Sequence, residues 1–143
     1  MSVQVQVSQV FERPLEKVFH FLADEHIRNH PRWDPDMELE QISEGPTGVG
    51  TLIRRRNSHS GTPVEGTMEV VEFEPNRAMG MLIHDGPVEM RSRMTFEAVS
   101  DDQTKITINV ELPGMDESMD KSFLTSAIER SVQNMKQLIE SET

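Results

Sequence analysis

The chain has 143 residues and no cysteine, which is enough length to bury a core and excludes disulfides and thiolate chemistry. Acidic residues outnumber basic ones by 25 to 14, so the formal net charge of −11 disfavours nucleic acid and anionic membranes as partners. Because no secretory leader and no membrane-length apolar run is present, we expect a soluble, cytoplasmic protein.

The first elements in the chain are predicted to be one strand and two short helices. Apolar and polar residues alternate over 3–8, which is typical of a half-buried strand. Pro14 then stands where the first turn of a helix tolerates proline. The apolar residues that follow at helical spacing are Leu15, Val18, Phe19 and Leu22. Asp24 is a candidate cap for a second helix over 25–30, which Pro31 is expected to end.

A meander of six further strands is predicted next, because turn-forming residues interrupt the chain at short intervals. These strands cover 37–42, 50–57, 64–73, 78–84, 88–98 and 105–112. The clearest alternation places Met90, Met94 and Phe96 on one face and charged residues on the other. Short turns between consecutive strands predict antiparallel pairing.

The last predicted element is a long amphipathic helix over 117–140, capped by Ser118 or Asp116. Its apolar positions recur at steps of three and four and are Met119, Phe123, Leu124, Ala127, Ile128, Val132, Met135, Leu138 and Ile139. Such a helix must lie on an apolar surface. Together the elements predict an α+β fold, with a curved seven-stranded antiparallel sheet around this helix and residues 1–143 forming one domain.

His26 and His30 are four residues apart on a short helix, so both could face one metal ion. Zinc would need further ligands, for which Asp34 or Glu25 could serve. The order of residues is not that of an HExxH motif, and an exposed polar helix face explains the pair more simply. The sequence also lacks a Gly-rich phosphate loop and a nucleophile motif, so we predict no metal site and no cofactor.

Three consecutive arginines, Arg54, Arg55 and Arg56, lie on one predicted strand. Since neighbouring residues of a strand point to opposite faces, at least one of them should face the concave side. An inward arginine needs a partner because an unpaired buried charge is costly. It binds a ligand carboxylate or enolate, pairs with Glu65 or Glu69 on the next strand, or extends its charged end to the solvent at the edge of the sheet.

Six segments of the chain form a recognisable pattern: PLEKVF at 14–19, LAD at 22–24, WDP at 33–35, GVGT at 48–51, VVEFEPNR at 70–77 and TKIT at 104–107. This pattern resembles the START-like, Bet v 1-like (SRPBCC) superfamily, and within it most closely the polyketide cyclase/dehydrase and lipid-transport group. The resemblance covers the whole chain and implies the helix-grip fold. Its motifs are structural, and none is catalytic.

The resemblance implies that a small hydrophobic or amphipathic ligand, lipid- or polyketide-like, binds in a cavity between the sheet and the C-terminal helix without catalysis. The expected ligand-binding residues are Trp33, Arg55, Met68, Met81, His84, Met90, Met94, Phe123 and Ala127. The ten methionines of the chain suit a wall that adapts to varied apolar shapes, although they also fit a filled core.

Two other functions stay open. In a cyclase/dehydratase-type enzyme, an inward arginine would stabilise an enolate while His84 or His59 moves a proton; a solvated position is the alternative for both histidines. In a chaperone-activator-like module, an exposed surface would replace the cavity. Homodimerisation through an edge strand is also open.

Overall fold

Seven strands form one antiparallel sheet in a computed structural model that describes residues 3–58, 61–114 and 121–142, without the side chain of Phe123. The strands are β1 Val3–Phe11, β2 Met37–Gln41, β3 Leu52–Asn57, β4 Val64–Glu74, β5 Ala78–Asp85, β6 Val88–Ser100 and β7 Gln103–Leu112. Their order across the sheet is β1-β7-β6-β5-β4-β3-β2. The predicted curved antiparallel sheet is therefore confirmed, with β1 and β2 at its edges.

The helices between β1 and β2 are α1, Leu15–Phe19, and α2, His26–Trp33, joined by a π-helical turn at His20–Asp24. The expected cap by Asp24 is wrong, because its carboxylate instead accepts a hydrogen bond from Nδ1 of His20 at 3.0 Å.

The prediction that Pro31 ends α2 is also wrong, because the helix continues to Trp33. The Asp34 amide donates to the His30 carbonyl at 2.9 Å and closes the last turn. A proline near a helix end removes only one backbone hydrogen bond. The burial of Trp33 and Asn29 in this segment offsets that loss.

The C-terminal helix α3, Ser122–Glu142, packs against β1 and α2. Val132, Met135 and Ile139 form its buried stripe and belong to the main core cluster. The predicted segment 117–120 and both candidate caps lie outside the described residues. The helical period and the inward stripe are as predicted.

Polar contacts fix the last turns of α3 to the end of β1. Lys136 Nζ donates to the Val10 carbonyl at 2.9 Å and to Glu140 at 2.6 Å, and the Glu12 amide donates to Glu140 at 2.9 Å. Burial raises the pKa of the Glu140 carboxyl, but these hydrogen bonds outweigh it and the net shift is downward. No helix in the described part of the chain combines the length and apolarity needed to cross a bilayer.

Candidate functional site

The predicted apolar wall lies on the concave face of the sheet. Met68, Met81 and Met94 are buried there, and Met90 is half-buried. Ala127 is half-buried on α3, while the side chain of Phe123 lies outside the described residues. The strand register thus brings the four predicted methionines onto one surface that faces α3.

On β6, a strand in the interior of the sheet, the inward residues Met90 and Ser92 are half-buried. One cross-strand row consists of Val70, Met81, Ser92, Val110 and Val5. Its exposed fractions are 0% at Val70, 6% at Met81, 9% at Val110 and 5% at Val5, and Ser92 between them is half-buried. A sheet packed solidly against a helix would be most buried at its centre. Ser92 is thus the most accessible residue of this row, and both Ser92 and Met81 also border a groove on the opposite, convex face of the sheet.

Arg55 is the arginine that faces inward, and its side chain is buried at one end of this concave face. Its Nη2 donates to Oδ2 of Asp85 at 2.9 Å, and its Nε lies 2.7 Å from Oδ1 without hydrogen-bond alignment. Asn57 Nδ2 donates to the same carboxylate at 3.2 Å. Arg54 and Arg56 are exposed and pair with glutamates of β2.

The predicted pairing of the inward arginine with Glu65 or Glu69 is wrong. Both are exposed, because their positions on β4 point to the outer face. Asp85 reaches Arg55 from β5, two strands away, since the intervening residue is Gly66. A Cβ atom at Gly66 would lie 1.8 Å from the His84 carbonyl oxygen and 2.7 Å from Asp85 Oδ1. The ion pair therefore spans a position at which no side chain fits.

His26 is almost fully buried, so the expectation of an exposed polar helix face is wrong. Its Nδ1 lies 3.0 Å from the Leu22 carbonyl oxygen, which can only accept, so Nδ1 carries the proton. Nε2 then accepts from Nδ1 of His30, also at 3.0 Å. The His30 ring stacks on Trp33 and its Nε2 lies 3.7 Å from Asp34.

Burial, together with the neighbouring His30, lowers the pKa of His26 from 6.5 to about 3. The bond to the Leu22 carbonyl opposes this shift, and the positive charge of Arg55 adds to it. His26 is therefore neutral at physiological pH. Within the described residues, no three His, Asp or Glu side chains meet as a metal site.

Of the two histidines considered as acid or base, the one that the structure describes, His84, points away from the face on which Arg55 lies. His84 is exposed on the outer face, with Nε2 3.3 Å from Glu89, and His59 lies outside the described residues. Trp33 is fully buried, with its ring centroid 5.6 Å from that of His26. Sequence reasoning missed His26 as an interior residue, although its spacing to Asn29 and Trp33 is that of one helix face.

The sequence matches the family described as polyketide cyclase / dehydrase and lipid transport over residues 2–140. The chain belongs to this family. None of the curated proteins matches its sequence.

Solved structures agree with this polyketide cyclase / dehydrase and lipid transport assignment at the level of the fold. A START superfamily protein from Mycobacterium smegmatis has a TM-score of 0.82 at 13% identity, covering 98% of this chain and 99% of that one. TTHA0849 from Thermus thermophilus has a TM-score of 0.79 at 12% identity, with 99% of each chain covered. The ZhuI aromatase/cyclase from Streptomyces sp. R1128 has a TM-score of 0.73 at 15% identity, with 99% and 93% covered.

This family member also has a groove of about 440 Å³ on the convex face of the sheet. Gly80 lies in it, and across this glycine Arg93 donates to Glu72 at 2.7 and 3.0 Å. The hydrogen bond from Arg93 lowers the pKa of the Glu72 carboxyl. A molecule in an open groove leaves much of its surface in water, whereas ligand sites bury most of it. The concave face, which is turned toward α3, is therefore the better candidate.

Proposed function

We propose that the chain binds a small hydrophobic or amphipathic molecule, lipid- or polyketide-like, between the inner face of the sheet and α3, without catalysis. Membership of the polyketide cyclase / dehydrase and lipid transport family supports this function. The methionines of the concave face also support it, because flexible thioether side chains adapt to varied apolar shapes.

The observation that carries the proposal is the methionine-rich concave face, on which Met68, Met81 and Met94 are buried. Ser92 is half-buried, although Met81 and Val110 flank it in the same row and its strand is interior to the sheet. Met90, two residues earlier on β6, is half-buried as well. A molecule seated over β6 would cover both residues and would contact the apolar wall around them.

The test is to replace a small residue of the concave face with a large one, so that the side chain occupies the proposed ligand site. Ser92→Phe places a large ring over β6, so the affinity for a neutral apolar dye such as Nile red should fall by about tenfold or more, equivalent to about 1.4 kcal/mol. Dye fluorescence reports binding, and the emission of Trp33, the one tryptophan of the chain, reports it independently.

Leu82→Phe is the matched control, because Leu82 lines the convex groove. This variant should bind the dye as the unaltered chain does. Met81 and Ser92 also border that groove, so a loss of binding shared by both variants would assign the dye to the groove. Unchanged binding by Ser92→Phe, or a loss confined to Leu82→Phe, would contradict the proposed location. Far-ultraviolet circular dichroism establishes that both variants are folded.

A cyclase/dehydratase-type enzyme is the second candidate, favoured by the inward position of Arg55 near His26. Against it, the guanidinium is already paired with Asp85, and Nε2 of His26 is occupied by His30. Enolate stabilisation would need an arginine free to act on the ligand. Conversion of a poly-β-ketone thioester, lost in Arg55→Lys, would support the enzyme over the carrier.

A further inference from the structure

Five large apolar side chains of the described residues are exposed, and four of them lie at one corner of the convex face of the sheet. They are Ile42, Val49, Leu52 and Val71, with exposed fractions of 45%, 69%, 37% and 51%. Single exposed apolar residues are ordinary on a protein surface, whereas a contiguous group rimmed by polar residues marks an interaction site. We call these four residues and the half-buried Leu82 the convex patch.

The strand register places three residues of the convex patch in one row. The amide of Ile42, directly after β2, donates to the carbonyl of Leu52 at 2.8 Å. Leu52 lies opposite Glu69 of β4, and Glu69 lies opposite Leu82 of β5. Because neighbouring strands are only about 4.8 Å apart, the side chains of such a row are in reach of one another.

An irregularity in β4 adds Val71 to the same face. The register of β4 against β5 shifts at this residue, as in a β-bulge, where one residue has no partner and nearby side chains are redirected. Val71 lines the convex groove together with Leu82, so both lie on one face. Val49 reaches this corner because the amide of Gly50 donates to the Val70 carbonyl at 2.8 Å.

The convex patch surrounds a carboxylate that has no cation beside it. Glu69 is exposed between Leu52 and Leu82, and within the described part of the chain its side chain makes no hydrogen bond and no ion pair. Two arginines of this face, Arg54 and Arg93, already pair with other glutamates. A cation brought by a partner would therefore meet an available carboxylate, and apolar neighbours would limit the access of water to the new ion pair.

We propose that the convex patch and Glu69 form a docking surface for a polypeptide segment in which a cationic residue lies between apolar ones. The inference goes beyond the proposed function, because it concerns the convex face and does not depend on a ligand at the concave face. The net charge of −11 favours a basic partner, since like charges oppose the approach of a second copy of this chain and of an anionic membrane.

The experiment measures the fluorescence polarisation of short fluorescein-labelled peptides with the intact protein near neutral pH and at physiological salt. A peptide of alternating leucine and arginine should bind at least about tenfold more tightly than a peptide of leucine and glutamate or one of serine and arginine. Only the first peptide supplies both the apolar contacts and the cation. Equal binding by the serine–arginine peptide would reduce the interaction to net charge and overturn the proposal.

Two pairs of variants locate the site of the leucine–arginine peptide. Val71→Ser should weaken binding by about fivefold or more, whereas Val99→Ser, at an exposed valine outside the convex patch, should leave it unchanged. Glu69→Gln should also weaken binding, whereas Glu97→Gln removes the same charge from an exposed position opposite Lys105 and should not. Equal effects within either pair would overturn the proposal, with circular dichroism establishing that the variants are folded.

Two further results would assign the convex patch to a different occupant. Dimerisation in sedimentation velocity that Val71→Ser abolishes would make a second copy of this chain the occupant. Binding to uncharged phosphatidylcholine vesicles that Val71→Ser abolishes would make it a membrane surface. Either result would overturn the docking proposal, whereas the function proposed for the concave face is tested separately by Nile red.

Discussion

At the scale of single residues, the burial of His26 makes the stability of the folded protein depend on pH. It is held neutral on α2 by its burial, by the His30 ring and by the charge of Arg55, which together lower its pKa to about 3. In the unfolded chain its pKa returns to 6.5. Between these two values the unfolded chain binds one more proton than the folded chain at this position.

The folded state should therefore lose stability as the pH falls below 6.5 and should continue to lose it toward pH 3. For one proton the slope is about 1.4 kcal/mol per pH unit, and this contribution to stability is fully present above pH 6.5. Urea unfolding at a series of pH values measures the slope.

His26→Gln removes the titrating group, so its stability should fall less steeply with decreasing pH than that of the unaltered chain. Arg28→Gln, an exposed change on the same helix, is the matched control and should keep the original slope. Identical pH dependence in the His26→Gln variant would show that another group is responsible.

Only part of the candidate site can be predicted from the sequence, as Arg55 and His26 show. The inward direction of one arginine follows from strand alternation, but its partner does not, because Asp85 lies two strands away from Arg55. That contact depends on register and on Gly66, which a pairwise comparison of adjacent strands does not consider. An exposed face is the expectation for His26 because its helix is rich in polar residues, whereas the packing of His26 against Trp33 buries it.

At the scale of elements, β4 acts as a spacer between the two strands that carry the interior ion pair. Gly66→Ala should destabilise the protein by at least about 2 kcal/mol, because the added carbon would overlap the His84 carbonyl and force the strands apart. The change in the urea midpoint measures this loss.

The matched control for this prediction is Gly114→Ala. Gly114 is exposed, and a Cβ atom there meets no atom within 4 Å. Its stability should stay within about 0.5 kcal/mol of the original. Equal midpoints for both variants would mean that β4 tolerates a side chain at Gly66.

The elements themselves are largely predictable from the sequence. Alternation over β6 and β7 and the three-to-four spacing of α3 specify both period and buried face. The errors fall on α2, where Pro31 and Asp24 carry strong local signals for a stop and a cap. Local signals describe single hydrogen bonds, whereas the end of this helix is determined by the tertiary packing of Trp33.

At the scale of the whole molecule, the distribution of charge opposes nucleic-acid binding. The chain carries a formal charge of −11, and its one run of three arginines is neutralised within the sheet. Arg54 pairs with Glu40 at 2.8 Å, Arg56 lies 3.8 Å from Glu38, and Arg55 is buried with Asp85. Each arginine of this run therefore has a carboxylate beside it, which weakens its attraction for phosphates.

Duplex DNA labelled with a fluorophore should therefore show no change in polarisation with about 10 μM protein at low salt. The double variant Glu38→Gln and Glu40→Gln, which exposes two arginines, is the informative comparison and should bind weakly if at all. Salt-sensitive binding by the unaltered chain would contradict this prediction.

The two ion pairs that cross a glycine have a consequence for how the strands align. Arg55 and Asp85 bridge Gly66 on the inside, and Arg93 and Glu72 bridge Gly80 on the outside. A slip of β4 by one position past β5 would turn every side chain to the opposite face. Asp85 would then no longer lie opposite Gly66, and it would be left as a buried carboxylate without Arg55 as its partner. The two ion pairs therefore add a penalty for misalignment to the one that the buried apolar face already imposes.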